Sequence, residues 1–402
     1  MKYVLILGDG MADYPVEQLG NKTPLQYAKK DNMDYLAQHS EVGLVRTIPD
    51  GIPPGSDAAN LSVMGYNPKE YYTGRSPLEA VSMGINLSDT DVAIRCNLVT
   101  LSEDEDYSHK IMIDHSSDEI STEEARELIN EVNRHLKRQD ITFYPGISYR
   151  HCMVWNNGLT GLNLTPPHDI LDKKITEYLP KGENNKLLLD MMVKSYEILK
   201  DHPVNKARIS KGLRPANSIW LWGEGKKPLL SKFCDKYKIN GSVISAVDLI
   251  KGIGILAGLK NVDVEGATGN IHTNFIGKAQ AALKELESGQ DFVYLHFEAP
   301  DECGHRYEIE NKVKSIEIID EQVVGTILKG LEKYEDYKLL ILPDHPTPLS
   351  LRTHTSDPVP YLLYQKSKPK KSRVSGYDEV QAASTNICFN EGYKLMDHFI
   401  LD

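Results

Sequence analysis

Between residues 242 and 364, short apolar runs alternate with longer stretches of helical spacing. Ser242 to Ile244, Phe292 to Phe297, Leu339 to Leu342 and Tyr361 to Tyr364 read as strands, and Asp248 to Leu256, His272 to Leu286 and Val313 to Leu331 as helices. Parallel strands need a long crossover, which a helix fills. The alternation therefore predicts βαβ units and a mainly parallel sheet flanked by helices. The start of the chain fits the same plan. Tyr3 to Leu7 is a buried parallel strand closed by the turn at Gly8, Asp9 and Gly10. A helix-spaced segment from Thr23 to Gln38, broken near Asp31, leads to a strand from Val42 to Ile48. A Pro/Gly loop then opens a short helix from Asp57 that glycine stops at Gly65.

From about Asp91 the texture changes. Val92 to Leu101 alternates as a strand, the acidic turn 103–106 follows, and Lys110 to Asp114 alternates again, which predicts a hairpin. Ser121 or Thr122 caps an amphipathic helix. Strands near Thr142 to Tyr144 and Tyr149 to Trp155, a Pro-rich polar stretch from Thr165 to Asn185 and a helix from Lys186 to Leu199 complete a mixed α+β segment. Ile219 to Trp222 reads as the return to the first domain. The predicted organisation is a discontinuous α/β core, residues 1–90 and 216–402, with an inserted α+β cap domain, residues 91–215.

With 402 residues, 40% hydrophobic and 26% charged, the chain has the composition of an ordinary globular protein. A formal net charge of -11 argues against nucleic-acid binding, which rests on clustered cations, but not against a small anionic substrate met by a local group of arginines. The basic run from Lys366 to Arg373 reads as a solvated loop. Five scattered cysteines without a CxxC pair read as reduced thiols. Met1 and Lys2 lead straight into a run too short for a signal-peptide core, and no apolar stretch approaches the roughly 20 residues that span a bilayer. These features predict a cytoplasmic protein with no membrane partner. No heptad or apolar stripe specifies an oligomer.

Chemistry concentrates at strand ends. Asp9 closes the first strand, Asp301 follows the run ending at Phe297, and Asp344 and His345 follow the run ending at Leu342. In open α/β sheets, ligands gather at the carboxyl ends of strands. Asp301 and His305, four apart, share one face of a helical turn. A single such pair, or His354 alone, is more often a cap or a loop residue than a metal ligand. Taken with Asp9 and the Asp344–His345 pair, the coincidental reading needs five independent accidents and is rejected. Carboxylate and imidazole donors without thiolate suit Mn²⁺, with Mg²⁺, Co²⁺ and Zn²⁺ as alternatives. Ser56 reads as the cap of the helix that begins at Asp57. At that place it also faces free N–H groups and the positive end of the helix dipole, which favour an alkoxide and a phosphoserine. The set describes a two-metal site beside a nucleophilic serine.

Leu7-Gly-Asp-Gly-Met-Ala-Asp13, Gly55-Ser-Asp57 with Asn60 and Gly65, Tyr72-Thr-Gly-Arg-Ser-Pro77, Ala299-Pro-Asp-Glu-Cys-Gly-His305, Pro343-Asp-His345 and Thr353-His-Thr-Ser-Asp-Pro-Val-Pro360 together resemble the cofactor-independent phosphoglycerate mutases. The likeness is to the archaeal-type branch, within the alkaline phosphatase superfamily. It extends to Trp220-Leu-Trp-Gly-Glu-Gly225 and Gly266-Ala-Thr-Gly269. It implies an alkaline phosphatase-like core, one metal on Asp301, His305 and His354, and a second on Asp9, Ser56, Asp344 and His345. It also implies that Ser56 takes the phosphoryl group from a phosphoglycerate and returns it to the other hydroxyl. A small phosphorylated acid calls for forked guanidinium donors. Arg75, Arg95, Arg150, Arg208 and Arg214 lie in family-like segments, with Arg208 and Arg214 favoured and His115 added.

Pro346, Thr347 and Pro348, the Glu302–Cys303 pair and His272 to Phe275 are closer to a bacterial subgroup proposed to phosphorylate homoserine for threonine synthesis. Two reactions follow: interconversion of 2- and 3-phosphoglycerate, or a phosphotransferase making O-phosphohomoserine. No Walker loop is present. A plain phosphatase, with water taking the group from Ser56, is a third, which a closing cap would suppress.

Overall fold

The computed structural model describes residues 1–103, 106–183 and 185–402. Asp104 and Glu105 of the expected acidic turn lie outside the described residues. In chain order the strands are β1 (Lys2–Gly8), β2 (Glu41–Val45), β3 (Val92–Leu101), β4 (Met112–Asp114), β5 (Ile141–Tyr144), β6 (Arg150–Trp155), β7 (Ser218–Lys226), β8 (Gly241–Ile244), β9 (Lys260–Asn261), β10 (Phe292–Phe297), β11 (Tyr337–Leu342), β12 (Val359–Gln365) and β13 (Cys388–Phe389). They form two sheets in two compact units, Met1–Tyr72 with Leu229–Asp402, and Thr73–Pro228.

The first unit carries an eight-stranded sheet in the order β13-β2-β12-β11-β1-β10-β8-β9. β1 runs parallel to both β10 and β11, and β12 is antiparallel to β11 and to β2. The three central strands are mostly apolar and buried along their length because helices cover both of their faces. On one face Val4, Ile6, Val293, Leu295, Leu339 and Ile341 meet Phe275, Ala279, Ile316 and Val323 of the covering helices, all nearly inaccessible to solvent. Each such side chain contributes roughly 1.5–3 kcal/mol of burial.

The break expected near Asp31 is present, and a second helix departs from simple periodicity. The segment from Thr23 to Gln38 splits into Pro24–Tyr27 and Asp31–Gln38. The long helix expected from Val313 to Leu331 contains a π turn at Ile319–Val324. That turn delivers buried Asp320 to the neighbouring helix, whose own cap, Lys30, offers no acceptor. Asp320 takes the N–H groups of Asn32 at 3.1 Å and Met33 at 2.7 Å. The extra residue of the π turn so satisfies donors that would otherwise be orphaned.

The second unit is built on a five-stranded antiparallel sheet, β4-β3-β6-β5 with β7 also paired to β3. The predicted hairpin is present, with Thr100 opposite Asp114. Ser121 caps the helix Thr122–Leu136 through the Glu124 N–H. On one face Ile94, Cys96 and Leu98 pack with Leu128, Ile129, Val132, Leu188 and Met192 of two long helices. On the other, Ala93, Cys152 and Val154 pack with Ala80 of the helix Ser76–Ser82.

The expected boundaries at 90/91 and 215/216 require correction to 72/73 and 228/229. Ile219 to Trp222 does not return to the first sheet. It lies in β7, where Ile219, Trp220, Leu221 and Trp222 pair with Leu98, Asn97, Cys96 and Arg95. The helix Ser76–Ser82 covers the same sheet, so both junctions move outward. Among the described residues, no helix is long and apolar enough to cross a membrane.

Candidate active site

β1, β10 and β11 lie side by side, and their carboxyl ends bring the expected metal ligands of the first unit together. Asp9 follows β1 directly, Asp301 lies in the helix Ala299–Arg306 after β10, and Asp344 and His345 follow β11. Two groups result, Asp301 with His305 and His354, and Asp9 with Asp344 and His345, each with its donor atoms within 4.8 Å of one another.

In the first group, His305 Nε2 is 3.3 Å from Asp301 Oδ2, and His354 Nε2 is 3.3 Å from Asp301 Oδ1. The two Nε2 atoms face each other at 2.9 Å. His305 Nδ1 lies 3.0 Å from the Arg352 carbonyl, which only accepts, so Nδ1 carries a hydrogen; Nε2 donates to Asp301 when the ring is protonated and is bare when it is neutral. Burial alone would raise the Asp301 pKa, but hydrogen bonds from His305 and His354 outweigh it and hold the carboxyl well below its usual range. The bond to Asp301 in turn pushes His305 up to about 9. Such a cluster of lone pairs is stable only around a proton or a cation.

In the second group, His345 Nε2 is 3.5 Å from Asp9 Oδ1 and 3.5 Å from Asp344 Oδ2. Ser56 Oγ lies 3.1 Å from the same nitrogen. Asp344 is held by the Gly10 N–H at 3.1 Å and by Asn60 Nδ2 at 2.8 Å. Asn60 also donates to the Ser56 carbonyl and accepts from buried Tyr294. Asp9 is 1% exposed, and burial together with the charges of Asp344 and Asp301 drives its pKa well up. Its Oδ2 meets His296 Nε2 at 3.0 Å, while Oδ1 is buried with no hydrogen-bond partner. An orphaned carboxylate oxygen amid hard and borderline donors fits a divalent cation.

Ser56 is not the cap that its position suggested. The helix is Ser56–Val63, and Gly55, which has no side chain to cap with, holds the cap position. Asp57 serves the Ala58 N–H instead, which leaves the Ser56 hydroxyl directed to His345.

The second unit gathers cations on the polar part of its sheet face. Arg75 Nε donates to Glu79 Oε1 at 2.7 Å and Arg95 Nε to Glu79 Oε2 at 3.0 Å. The Arg95 guanidinium lies 4.2 Å from the Trp222 ring, and His168 and then His115 extend this row of rings at 5.4 and 6.0 Å. Arg150 lies over Tyr149, whose ring meets His115 at 5.7 Å. Burial alone would raise Glu79, but Arg95, Arg75 and Arg150 outweigh it and lower its pKa. Burial, then crowding by Arg75 and Arg150, pulls Arg95 down to about 10. Arg75 and Arg95 both pair with Glu79 and Arg150 adds its charge to the same field, a local concentration of cations that favours an anionic ligand.

Arg208 and Arg214, the favoured substrate arginines, lie apart from this group and are engaged in contacts of their own. Arg208 is 2% exposed, and its guanidinium donates to the Arg214 carbonyl at 2.9 Å, Glu124 at 2.5 Å and the Ser117 carbonyl at 2.6 Å. Arg214 pairs with Asp114 at 3.1 Å and Asp118 at 3.6 Å. Both brace the loop around Ser117, Asp118 and Glu119, which has left-handed backbone throughout. Sequence reasoning missed His168, Trp222, His296 and Tyr294; only the strand-end position of His296 could have flagged it.

A family model for 2,3-bisphosphoglycerate-independent phosphoglycerate mutase matches residues 37–205. A Geobacter sulfurreducens protein named as a probable enzyme of that description is 51% identical over 397 residues, covering 99% of each chain. One from Methanosarcina barkeri, named 2,3-bisphosphoglycerate-independent phosphoglycerate mutase, is 48% identical over 384 residues and 95% of each chain. The solved structure of the cofactor-independent phosphoglycerate mutase of Thermoplasma acidophilum aligns with a TM-score of 0.68 at 25% identity, over 100% of this chain and 99% of that one.

Proposed function

The chain belongs to the 2,3-bisphosphoglycerate-independent phosphoglycerate mutases, and we propose that it interconverts 2- and 3-phosphoglycerate by passing the phosphoryl group through Ser56. The observation that carries this reading is the Ser56 hydroxyl itself. It is released from capping and lies 3.1 Å from His345 Nε2, beside the orphaned oxygen of Asp9.

Asp301, His305 and His354 would hold one divalent cation, and Asp9, Ser56, Asp344 and His345 the other, with Mn²⁺ the ion this donor set suits. Bound there, the two ions supply Lewis-acid stabilisation of the transferring phosphoryl group and acidify the serine hydroxyl. Ser56 Oγ attacks phosphorus, its bond to phosphorus forms as the bond to the glycerate oxygen breaks, and the proton given up by the serine hydroxyl ends on the released glycerate oxygen. The reverse attack by the neighbouring glycerate hydroxyl restores Ser56. The positive end of the helix Ser56–Val63 favours charge on the serine oxygen throughout. Asn60 holds the helix backbone at Ser56 and the Asp344 carboxylate in one hydrogen-bonded frame. Arg75, Arg95, Arg150 and His115 match the carboxylate of the acid in charge and fork geometry, and we assign that face of the second unit to substrate recognition.

The homoserine alternative has the same nucleophile, so the acceptor must be tested directly. Purified protein with Mn²⁺ and 3-phosphoglycerate is expected to release 2-phosphoglycerate without added bisphosphoglycerate. A parallel reaction offers homoserine with ATP and other phosphoryl donors. Product in that second reaction alone would overturn the mutase assignment.

A further inference from the structure

Pro346, Thr347 and Pro348 take no part in the transfer described above, yet Thr347 is fully buried between the two ligand groups. Its hydroxyl contacts Asp301 Oδ1 and lies 3.3 Å from Nδ1 of His345. An ionised carboxylate only accepts, so the one hydroxyl hydrogen goes to Asp301. The contact with His345 then requires the imidazole to donate, which places a hydrogen on Nδ1. Nε2 of the same ring is left bare, facing Ser56 Oγ at 3.1 Å and one oxygen each of Asp9 and Asp344 at 3.5 Å.

The surroundings hold this hydroxyl in place. The Thr347 N–H donates to the Ala12 carbonyl at 3.2 Å. The Lys312 ammonium, wholly buried and paired with Asp13, donates to the Thr347 carbonyl at 2.8 Å. Asp13 also takes the Leu349 N–H at 3.2 Å. Gly10, at φ +62°, makes the approach possible: a Cβ there would lie 2.6 Å from Thr347 Oγ1 and 2.7 Å from Asp301 Cα.

We propose that Thr347 is a positioning residue that couples the two cation sites, fixing His345 with Nε2 bare for one ion while orienting Asp301 for the other. The proposal rests on the two-cation reading above. Its structural core, the direction of the relay from His345 through Thr347 to Asp301, does not require an ion.

Full-length protein labelled with ¹⁵N at histidine is read at pH 8, free of metal, for the His345 tautomer, and is then titrated with Mn²⁺ by electron paramagnetic resonance. The wild type is expected to show the Nδ1–H form, Thr347→Val to lose that preference, and Thr347→Ser to keep it. Partners of metal-binding histidines affect affinity by tens of fold, so Thr347→Val should weaken uptake at both sites about tenfold and Thr347→Ser by less than about threefold. An unchanged His345 tautomer in Thr347→Val would overturn the relay. Unchanged affinities at both sites would overturn the coupling. If the valine variant does not fold, Thr347→Ala provides the same readings. Should the wild type bind fewer than two ions, the two-cation reading fails, and the tautomer still decides the role of Thr347.

Discussion

At the scale of single residues, the site is built from polar groups whose hydrogen bonds have been assigned to leave one atom over. His296 takes one oxygen of Asp9 and leaves the other bare, and Asp57 serves the helix N-terminus so that Ser56 need not. Removing the Ser56 hydroxyl therefore costs the helix no cap, and Ser56→Ala should unfold within about 0.5 kcal/mol of wild type. Turnover should fall by roughly 10⁴-fold or more, as when a nucleophile is deleted from a unit that acts together. Mass spectrometry should find phosphate on Ser56 of the wild type after brief exposure to substrate, and none on the variant. Retained turnover in Ser56→Ala would dismiss the phosphoserine route. That these acidic and imidazole residues would meet was legible in the sequence, because they recur at strand ends. The arginines were less so. Arg208 and Arg95 look alike in sequence, and only folding shows that Arg208 is spent on Glu124 and the Ser117 carbonyl while Arg95 lies against Trp222.

At the scale of elements, the last helix, Lys394–Leu401, is tied to β2 by a charged cluster with a definite pH window. His398 Nε2 meets Glu41 Oε1 at 3.0 Å and its Nδ1 meets Asp402 at 2.5 Å. Lys370 and Tyr361 also donate to Glu41, at 2.6 and 2.8 Å, and the Phe389 ring lies 5.4 Å from His398. The His398 hydrogen bond, opposed by burial and aided by Lys370 and Tyr361, lowers Glu41 from 4.5 to about 2. The bond to Glu41, opposed by burial and aided by Asp402, raises His398 above 6.5. A lowered carboxyl stabilises above its unfolded pKa and loses that contribution as pH falls toward 2. A raised imidazole stabilises below 6.5 and loses its contribution as pH rises through the folded value. Both act fully between about 4.5 and 6.5. His398→Gln should thus cost about 1 kcal/mol near pH 5.5, solvent screening included, and progressively less toward pH 9. Thermal unfolding of the two proteins across that range checks it; a difference that grows with pH would refute the tether. This tether was not read from the sequence, because Glu41 and His398 are far apart in the chain and neither interrupts a periodicity. The same limit displaced β7. An apolar run such as Ile219 to Trp222 announces a buried strand, but which sheet takes it depends on pairing with β3, more than a hundred residues earlier.

At the scale of the whole molecule, each unit has its own sheet and apolar core, and the first concentrates buried carboxylates at one edge of its core. Asp9, Asp301 and Asp344 are all at most 5% exposed, and they are delivered by the three adjacent strands β1, β10 and β11. Burial, and after it the charges of Asp344 and Asp301, raise the pKa of Asp9, so keeping this carboxylate ionised opposes folding of that unit until positive charge is supplied. Ions that bind only the folded state stabilise it by mass action, about 2.7 kcal/mol at a concentration one hundred times Kd. The second unit has no part in these two ligand groups. Stripping divalent ions with a chelator should therefore act unevenly along the chain. Hydrogen exchange followed by mass spectrometry should show faster exchange in peptides covering residues 3–13, 292–306 and 337–355. Peptides from β3, β6 and β7 should exchange at unaltered rates, because their protection arises from the antiparallel sheet and the helices Thr122–Leu136 and Asn185–Leu199 packed on it. Readdition of Mn²⁺ should restore protection in the first set alone. Unchanged exchange in the first set would mean that the first unit tolerates its buried carboxylates without bound cations, and equal loss in both units would mean that the effect of the ions is not confined to the unit that holds the ligand groups.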